Sequence, residues 1–351
     1  MTITAEERRA GILDVVRELG TVRVMDLAAR IGAAPITVRR DVAALADQGL
    51  LLRSHGAVSL PHATTTGPAG QDRVIGMLVP TIGSYFDEVI DGARKAATAA
   101  GARLALGIAS YESTDDRAQA DQLLDSGVDG LLLTPNWPGA TPGDTSWVRD
   151  LPVPALLVER LAPPDSAAAE LDSVGSDHHH GALLALHHLV RLGHKSVLLA
   201  AREDTWTAHQ VRAGYAEGVR LLGLEPQAVI DIHRPGLDSE ALAAQVAEAV
   251  TNGVRAVLIH NDQEAIQLAP LLHARGLRMP EDVALISYDD VFAALATPSL
   301  TAVAPPKRAV GTEAVELMLR RIAGGSELPV HHVRLLPELK VRASCGGEPG
   351  R

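Results

Sequence analysis

The sequence contains a single cysteine and no long apolar run. Cys345 cannot form a disulfide within the chain, which fits a reducing compartment, and we interpret it as an incidental thiol in a glycine-rich tail. The longest apolar runs, such as GLLLTP and SVLLAA, are far shorter than the roughly 20 residues that a membrane helix needs. The N-terminus is polar and lacks the apolar core of a signal peptide. We therefore expect a cytoplasmic protein that does not associate with membranes.

The chain also has less positive than negative charge, with 32 Lys and Arg against 43 Asp and Glu and a formal net charge of −11. Residues 1–60 differ from this average, because eight arginines and seven acidic residues give the segment a charge of +1 and leave −12 for the remainder. DNA binding requires a local basic surface rather than a basic average. The charge distribution is thus compatible with a small DNA-binding domain joined to a larger acidic domain. A length of 351 residues suits two or three domains.

Helical periodicity fills the first 50 residues. Apolar residues recur with the spacing of an amphipathic helix from Ile12 and again from Val24, and Pro35 suits the first turn of a third helix. The third helix has an apolar face that must pack on the first two, formed by Val38, Val42 and Leu45. At its N-terminal end, where a recognition helix meets bases and phosphates, it exposes Ile36, Thr37, Arg39 and Arg40. The alternative is that the two arginines belong to a solvated face without a partner.

Asp41 follows these arginines directly and could oppose DNA binding. Its helical position lies nearer the packed side, so we predict that it pairs with a neighbouring basic group and orients the helix. The segment LLLRSHGAV then predicts a short two-stranded wing that turns near Gly56.

Residues 5–60 resemble the winged helix-turn-helix of the DeoR family. The resemblance rests on RVMDLAARIG and TVRRDVAALADQGLLLRSHGAV and on their spacing. It implies sequence-specific binding to double-stranded DNA, with Arg53 and His55 on the wing as further DNA contacts. The sequence departs from the family at two helix starts, where Arg23 and Ala34 replace the usual hydroxyl caps, and such a loss costs on the order of 1 kcal/mol.

Beyond a linker at residues 59–72, rich in Pro, Gly and Thr, the pattern becomes an alternation of strands and helices. Apolar strands such as RVIGMLVP and VALISYDD alternate with helices predicted near 86–100, 115–126, 178–192, 208–223, 238–251 and 262–275. This alternation predicts parallel sheets covered by helices on both faces. A less regular interval, 134–175, divides two similar halves. We therefore predict an α/β fold with two doubly wound parallel-sheet lobes behind the winged helix-turn-helix.

The chain has only nine aromatic residues, and several of them follow predicted strands. In parallel sheets ligands bind at the carboxyl ends of strands, where aromatic rings and polar groups can cover and hydrogen-bond a polyhydroxylated molecule. Five aromatic residues fall at such positions: Tyr85, Phe86, Tyr111, Trp137 and Trp206. Polar residues at the same ends include Thr81, Ser84, Asn136, Glu159, Arg160, Asn261 and Asp289. The acids at Asp262 and Asp290 could instead cap helices.

Residues 73–344 resemble the sensor domain of the LacI/GalR family and the related sugar-binding proteins. The resemblance rests on segments such as RVIGMLVPTIGSYFDEVIDGARKAATAAGARL, VGSDHHHGALLALHHLVRLGHKSVLLA and VLIHNDQEAI. It implies a periplasmic-binding-protein-like domain that binds an effector, with family contacts at the Thr81–Phe86 loop, Arg160, Asn261 and Asp289. Val211 stands where the family has an arginine that clamps sugar hydroxyls, so we assign that contact to Arg212. Glu159 replaces the usual aspartate, and the linker lacks the family's hinge helix.

The histidines of the segment DHHHGALLALHH could suggest a metal site. His180 and His187 share a helix face, but no acidic residue or cysteine stands at metal-ligand spacing, so we predict no metal. For His178, the alternative to metal binding is a role at the pocket or at the start of the helix. No catalytic motif is present, so we predict no enzymatic activity and no cofactor.

The sequence thus predicts four segments: a DNA-binding domain at 1–60, a linker at 61–72, an effector-binding and dimerisation domain at 73–344 and a flexible tail at 345–351. We expect a homodimeric transcriptional regulator of carbohydrate genes, most simply a repressor, controlled by a sugar between the lobes. The alternative is a sugar-binding protein, exported or cytoplasmic, without a role on DNA. That alternative assigns no function to residues 1–60.

Overall fold

The chain divides into two compact units, residues 1–70 and 71–351, and each is considered by itself. A computed structural model describes residues 8–9, 11–13, 15–16, 22–31, 33–47, 51–54, 57–59, 73–81, 85–109, 116–137, 145–233, 236 and 238–348. Within these residues, we find no helix with the length and apolar character needed to span a bilayer.

The first unit is a small helical domain with a three-stranded sheet. The described residues between 8 and 16 are helical, and they are followed by β1 (Val22–Arg23), α1 (Val24–Ile31), α2 (Pro35–Asp47), β2 (Leu52–Ser54) and β3 (Ala57–Ser59). The sheet is antiparallel, in the order β1-β3-β2. Strands β2 and β3 pair as the predicted two-stranded wing, and Gly56, where the turn was predicted, lies outside the described residues.

The core of this unit has the composition that the helical periodicity predicts. Residues from the helices and the wing bury their side chains together: Ile12, Val16, Leu27, Ala28, Val38, Val42, Leu45, Leu51 and Val58. The three predicted face residues of α2 are therefore buried against the rest of the unit. This packing fixes which side of α2 remains exposed.

The second unit alternates strands and helices along most of its length. In chain order it contains β4 (Val74–Val79), α3 (Tyr85–Ala99), β5 (Arg103–Ile108), α4 (Asp116–Asp125), β6 (Gly130–Leu133), β7 (Ala155–Val158), β8 (Asp172–Ser176), α5 (His178–Arg191), β9 (Leu198–Ala201), α6 (Trp206–Leu222), β10 (Ile230–Asp231), α7 (Ser239–Thr251), β11 (Ala256–His260), α8 (Asp262–Ala274), β12 (Ala284–Tyr288), β13 (Thr301–Ala304), α9 (Lys307–Gly324), β14 (His332–Leu335) and β15 (Glu338–Lys340). The six helices predicted in this region are present, with ends that differ by at most two residues.

These elements form two lobes, each with a six-stranded sheet. The first lobe has the strand order β14-β8-β7-β6-β4-β5, and all of its pairs are parallel. The second lobe has the order β10-β9-β11-β12-β13-β15, in which only β15 is antiparallel to its neighbour. Buried apolar side chains pack on both faces of each sheet. The predicted fold class is confirmed.

The lobes are not consecutive halves of the chain. The chain leaves the first lobe after β8, returns after β13 to form α9 and β14, and enters the second lobe again with β15. The first lobe is thus completed by residues 307–335, more than 130 positions after β8. The periodicity of strands and helices predicted two lobes formed by consecutive halves of the chain, and it did not predict that the chain returns to the first lobe.

Helices α3 and α9 pack unusually closely within the first lobe. A Cβ atom on Gly92 would overlap with the carbonyl of Arg308, and one on Gly311 would overlap with the carbonyl of Val89. Glycine at both positions therefore allows the two backbones to meet. This contact holds α9 over the core formed with β4, β6, β7 and β8.

The prediction that Cys345 is a tail thiol is wrong. Cys345 is buried in the second lobe, where its sulfur accepts a hydrogen bond from Thr301 Oγ1 at 3.0 Å and lies 3.4 Å from His188 Nε2. The segment that follows β15 packs back on the sheet because Ser344 and Cys345 supply small buried side chains. The described chain continues to Glu348.

Candidate functional site

A cleft lies where the strand ends of the two lobes face each other, with a volume of about 210 Å³. Parallel strands place their carboxyl ends at one edge of each sheet, so residues distant in sequence meet there. The first lobe contributes Thr81, Tyr85, Phe86, Glu159 and Arg160 to the lining, and the second contributes Arg202, Thr205, Trp206, Thr207, His260, Asn261, Gln263 and Asp289.

One wall of the cleft is organised by the buried carboxylate of Glu159. Its Oε1 accepts hydrogen bonds from the hydroxyls of Tyr85 at 2.7 Å and Ser176 at 2.9 Å, and its Oε2 accepts the backbone N–H of Ser176 at 2.9 Å. His178 Nε2 lies 3.5 Å from Oε2. Burial acts to raise the pKa of Glu159, but the interaction with His178 and these hydrogen bonds outweigh it and lower the pKa to about 2. Glu159 is therefore ionised and fixed in orientation.

The opposite wall contains two buried polar atoms that could serve a ligand. Asp289 and His260 are 7% and 4% exposed, and among the described residues neither Asp289 Oδ1 nor His260 Nδ1 has a hydrogen-bond partner. Unsatisfied buried polar atoms are costly, and in a cleft they point to a missing partner. His260 ends β11 and Asp289 directly follows the adjacent strand β12, so both atoms lie at the same edge of the second lobe.

Burial changes the pKa of both residues. It raises the pKa of Asp289 to about 7, with a further contribution from the nearby carboxylate of Asp262. It lowers the pKa of His260 to about 3, and the charges of His178 and Arg202 act in the same direction. Near neutral pH, His260 is therefore an uncharged imidazole, and Asp289 is shared between its ionised and protonated forms. Such a pair can both donate to and accept from ligand hydroxyl groups.

The backbone is strained at two of these positions. Glu159 has φ = 52° and Asp289 has φ = 91°, in the left-handed region that side chains other than glycine rarely adopt. Each such residue costs on the order of 1–3 kcal/mol and persists where surrounding structure holds it. Both residues directly follow a buried strand, and this backbone conformation sets the direction in which their side chains leave the strand end.

A buried cation and an aromatic ring complete the lining. Arg160 is 6% exposed, and its Nε and Nη1 donate to the carbonyls of Pro135 and Glu159, each at 2.8 Å. These contacts fix the guanidinium group at the cleft. Trp206, at the start of α6, packs edge-on against Trp137 with a centroid distance of 6.0 Å. It therefore presents a supported apolar surface to the cleft.

The structure brings together seven of the twelve residues predicted to contact the effector: Thr81, Tyr85, Phe86, Arg160, Trp206, Asn261 and Asp289. Glu159, which the sequence placed at the same strand ends without a contact of its own, also lines the cleft. Three others lie outside the lining. Asn136 Nδ2 donates to the carbonyl of Ala109 at 2.7 Å, Trp137 supports Trp206 from behind, and Arg212 binds the carbonyls of Ala201 and Arg202 and the carboxylate of Asp231. Arg212 thus braces the ends of β9 and β10. The predicted contacts at Ser84 and Tyr111 lie outside the described residues.

Five lining residues were absent from the predicted contacts: Arg202, Thr205, Thr207, His260 and Gln263. His260 is the last residue of β11 and immediately precedes Asn261, so the rule that placed Asn261 at the cleft could also have identified it. Arg202 directly follows β9, but its bidentate hydrogen bonds to Asp204, both at 2.7 Å, could not be read from the sequence. No group of three or more metal-ligating side chains occurs in the part of the chain that the structure describes.

The second candidate site is the exposed end of α2 in the first unit. Ile36 is 60% exposed, Arg39 and Arg40 are exposed, and Thr37 is partly so. These residues occupy the first two turns of the helix, opposite its buried face. Strand β2 contains Arg53, whose side chain lies outside the described residues, as does His55 on the wing.

Asp41 faces the interior, as its helical position predicts. Its carboxylate accepts hydrogen bonds from Arg8 Nε at 2.6 Å and Arg9 Nε at 3.0 Å, and the residue is 3% exposed. Burial opposes ionisation, but the hydrogen bonds and charges of the two arginines lower the pKa of Asp41. The predicted pairing with a basic neighbour is confirmed, and it joins α2 to the first helical segment.

Comparison with known proteins assigns both units. Residues 8–64 match a DeoR-like helix-turn-helix domain, and residues 186–345 match a periplasmic binding protein-like domain. The repressor CytR of Escherichia coli K12 is 28% identical over 263 residues, which cover 72% of this chain and 74% of CytR. The chain is a homologue of the LacI-family repressors.

Other relatives of this LacI-family homologue are also named as repressors. The arabinose metabolism transcriptional repressor of Geobacillus stearothermophilus is 22% identical over 318 residues, covering 88% of this chain and 86% of the relative. The repressor PurR of Vibrio atlanticus is 29% identical over 264 residues, covering 71% and 75%. The match to the Geobacillus protein thus extends over most of both chains.

Solved structures support the same fold. The complex of the transcriptional regulator CelR with cellobiose has a TM-score of 0.67 at 22% identity, covering 89% of this LacI-family homologue and 91% of CelR. A LacI family regulator from Silicibacter pomeroyi has a TM-score of 0.67 at 20% identity, covering 78% of the homologue and 100% of its own chain. The Lac repressor dimer bound to operator has a TM-score of 0.66 at 21% identity. At these identities the likeness concerns the fold.

Proposed function

We propose that this chain is a DNA-binding transcriptional repressor whose affinity for its operator is controlled by a sugar bound in the cleft. The observation that carries the proposal is the presence, in one chain, of an exposed arginine pair on a braced helix and of a cleft with unpaired buried polar atoms. The names of the relatives support it, because they are repressors and one concerns arabinose metabolism.

The first unit supplies the groups that read DNA. Arg39 and Arg40 stand near the N-terminal end of α2, where arginine can form paired hydrogen bonds with guanine or contact phosphates. Thr37 and Ile36 extend this surface and can contact base edges and thymine methyl groups. Asp41 is turned inward by Arg8 and Arg9, so its charge does not face the DNA. Arg53 and His55 on the wing are proposed as further contacts.

The cleft supplies the groups that recognise the sugar. Asp289, Asn261 and His260 can hydrogen-bond hydroxyl groups from the second lobe, and Arg160 can do so from the first. Trp206 and Phe86 can cover an apolar face of the ring. The complexes of similar structures with cellobiose and ribose support a sugar as the ligand class. The volume of about 210 Å³ fits a ligand of monosaccharide size better than a larger one.

Control of DNA binding requires two states of the protein with different affinities for the sugar. We propose a cytoplasmic homodimer, without enzymatic activity, that presents two winged helices to two half-sites. A sugar that closes the cleft changes the spacing of these helices and releases the operator. The similarity to the Lac repressor dimer on its operator supports this arrangement.

DNA binding is tested with the full-length chain and fragments of the source genome. Fragments retained by the protein are sequenced, and the best one is used in titrations at several salt concentrations. Changing Arg40 to alanine should weaken binding and reduce the slope of log K against log salt by about 1 if the side chain contacts a phosphate. Changing Arg220, an exposed arginine of the second unit, controls for the loss of one charge. Equal effects of the two changes would contradict the assignment.

Ligand binding is tested by thermal unfolding of the same chain with pentoses, hexoses and disaccharides. A sugar that raises the unfolding temperature should also release the retained DNA fragment. The Asp289→Asn variant should lose most of the shift. A shift without an effect on DNA would instead favour a sugar-binding protein with no role on DNA.

A further inference from the structure

His178, at the first passage between the lobes, contacts both of them. It is 2% exposed and begins α5, directly after the chain leaves the first lobe. Its Nε2 lies 3.5 Å from Glu159 Oε2 in the first lobe, and its Nδ1 lies 3.3 Å from the hydroxyl of Tyr288 in the second. The Tyr288 hydroxyl donates its only proton to the carbonyl of His178 at 3.1 Å, so Nδ1 must donate to that hydroxyl. The imidazole therefore has one nitrogen for each lobe.

Lys307 lies at the second passage between the lobes and also contacts both of them. It is 4% exposed and begins α9, directly after the chain leaves the second lobe. Its Nζ donates to the carbonyl of Asp289 at 2.5 Å in the second lobe. In the first lobe it lies 3.4 Å from Glu88 Oε1 and 5.6 Å from the centre of the Tyr85 ring. A buried ammonium group thus joins the two lobes as well.

The partners of these two residues are parts of the cleft walls. Glu159 and Tyr85 form the wall of the first lobe and are hydrogen-bonded to each other. Tyr288 and Asp289 are consecutive residues at the end of β12, in the second lobe. His178 and Lys307 each join one pair to the other. The position of one wall relative to the other therefore depends on two side chains that lie behind the cleft and do not line it.

Gly181 shows that the contact with Tyr288 is built into the fold. A Cβ atom at position 181 would overlap with the Tyr288 hydroxyl, so only glycine lets the first turn of α5 approach β12 this closely. The close approach brings the ring of His178 to 5.8 Å from that of Tyr288, measured between centroids.

We propose that His178 and Lys307 are positioning residues that clamp the two lobes together at the hinge and so set the spacing of the cleft walls. This pair, the hinge clamp, acts on the ligand through Tyr85, Glu159 and Asp289. Its effect on ligand affinity rests on the proposed function, whereas its effect on lobe spacing does not. Loss of either member should let the lobes adopt a second separation.

Lobe spacing is measured in the full-length chain by electron spin resonance between two spin labels. Labels are placed at Asp125 and Asn252, which are exposed at the ends of α4 and α7 in different lobes. Both become cysteine, and the buried Cys345 becomes serine. The labelled chain is mixed with an excess of unlabelled chain, so that most dimers carry one labelled protomer, and the unchanged hinge should then give one narrow distance distribution. The His178→Gln and Lys307→Met variants should each give a broader distribution with a second population.

The chain offers a matched control beside each member of the clamp. His179 pairs with Glu217 at 2.9 Å within the second lobe, and Arg308 pairs with Glu88 and Asp91 within the first. The His179→Gln variant repeats the replacement made at His178, and Arg308→Met removes a cation next to Lys307. Neither change removes a contact between the lobes, and Glu88 keeps Lys307 as a partner. Their distance distributions should match that of the unchanged hinge.

The outcomes separate the clamp from a merely structural role. Unchanged distributions in both clamp variants, or equal broadening in the controls, would overturn the proposal. If His178→Gln does not fold, as judged by circular dichroism, Tyr288→Phe removes the hydroxyl that His178 contacts in the second lobe and should give the same broadening. Any sugar identified by thermal unfolding should bind about twofold more weakly to a clamp variant whose two separations are equally populated, because only one of them keeps the cleft walls at the binding distance. A failure to find any sugar would count against the proposed function and leave the distance result standing.

Discussion

Replacing Asp289 with asparagine should stabilise the unliganded protein, and by more at higher pH. The side chain is 7% exposed, and burial together with the carboxylate of Asp262 raises its pKa from 3.8 to about 7. The folded protein therefore holds a proton on Asp289 in a pH range where the unfolded chain has released it. Asparagine has nearly the same size and does not titrate.

The sign and the magnitude follow from this pKa. Below pH 3.8 both states are protonated, and the residue contributes nothing to the pH dependence. Between 3.8 and about 7 the unfolded state binds fewer protons, so the stability of the unchanged protein falls by about 1.4 kcal/mol per pH unit. Above the folded-state pKa the loss is complete, at about 4 kcal/mol. The advantage of the asparagine variant should thus grow by about 3 kcal/mol between about pH 5 and pH 8.

The assay is thermal unfolding of both proteins, without ligand, at these two pH values. For a unit of this size 1 kcal/mol corresponds to roughly 2–4 °C, so the gap between the two unfolding temperatures should widen by about 6–12 °C. Changing the exposed Asp165 to asparagine controls for the loss of one carboxyl group. A gap that stays constant with pH, or narrows as pH rises, would show that Asp289 is ionised in the folded protein at both values.

Two further predictions concern packing in each unit. Asp41→Asn should destabilise the first unit by about 2 kcal/mol near neutral pH because it weakens two charge-assisted hydrogen bonds. The penalty should vanish in acid, since a carboxylate with a lowered pKa stabilises the fold only above its pKa in the folded state. A penalty that persists in acid would contradict the ion pairing with Arg8 and Arg9. Gly311→Ala should lower the unfolding temperature of the second unit, because the added Cβ overlaps with the carbonyl of Val89 and overpacking costs about 1–3 kcal/mol; an unchanged unfolding temperature would show that α3 and α9 separate freely.

The sequence predicted the elements of the fold well and their assignment to lobes less well. Helix positions follow from local periodicity, and the helices at 206–222 and 262–274 lie within two residues of prediction. Which sheet a segment joins depends on contacts between distant residues, and periodicity carries no information about them. The return of α9 and β14 to the first lobe is of this kind.

For the candidate cleft, the sequence likewise predicted some of the lining residues but not the direction in which other side chains point. Asn261 and Asp289 could be placed because each follows a buried strand, and strand ends share an edge. The positions of Trp137 and Arg212 could not, because a residue at a strand end or helix start can face the cleft or support it from behind. The hydrogen bonds of Arg212 to the ends of β9 and β10 are satisfied only by the folded backbone.

The discontinuous first lobe has a consequence for synthesis. A ribosome completes β4–β8 before any of α9 exists, so one face of that sheet leaves the exit tunnel without the helix that covers it. The second lobe, by contrast, has its five parallel strands by residue 304. We therefore expect the second lobe to complete its packing before the first lobe, although the first lobe begins earlier in the sequence. A stop codon shortly before residue 307 should leave the apolar face of Val89, Ala93 and Leu132 open and give a product that aggregates, even though the truncated chain retains every residue that lines the cleft.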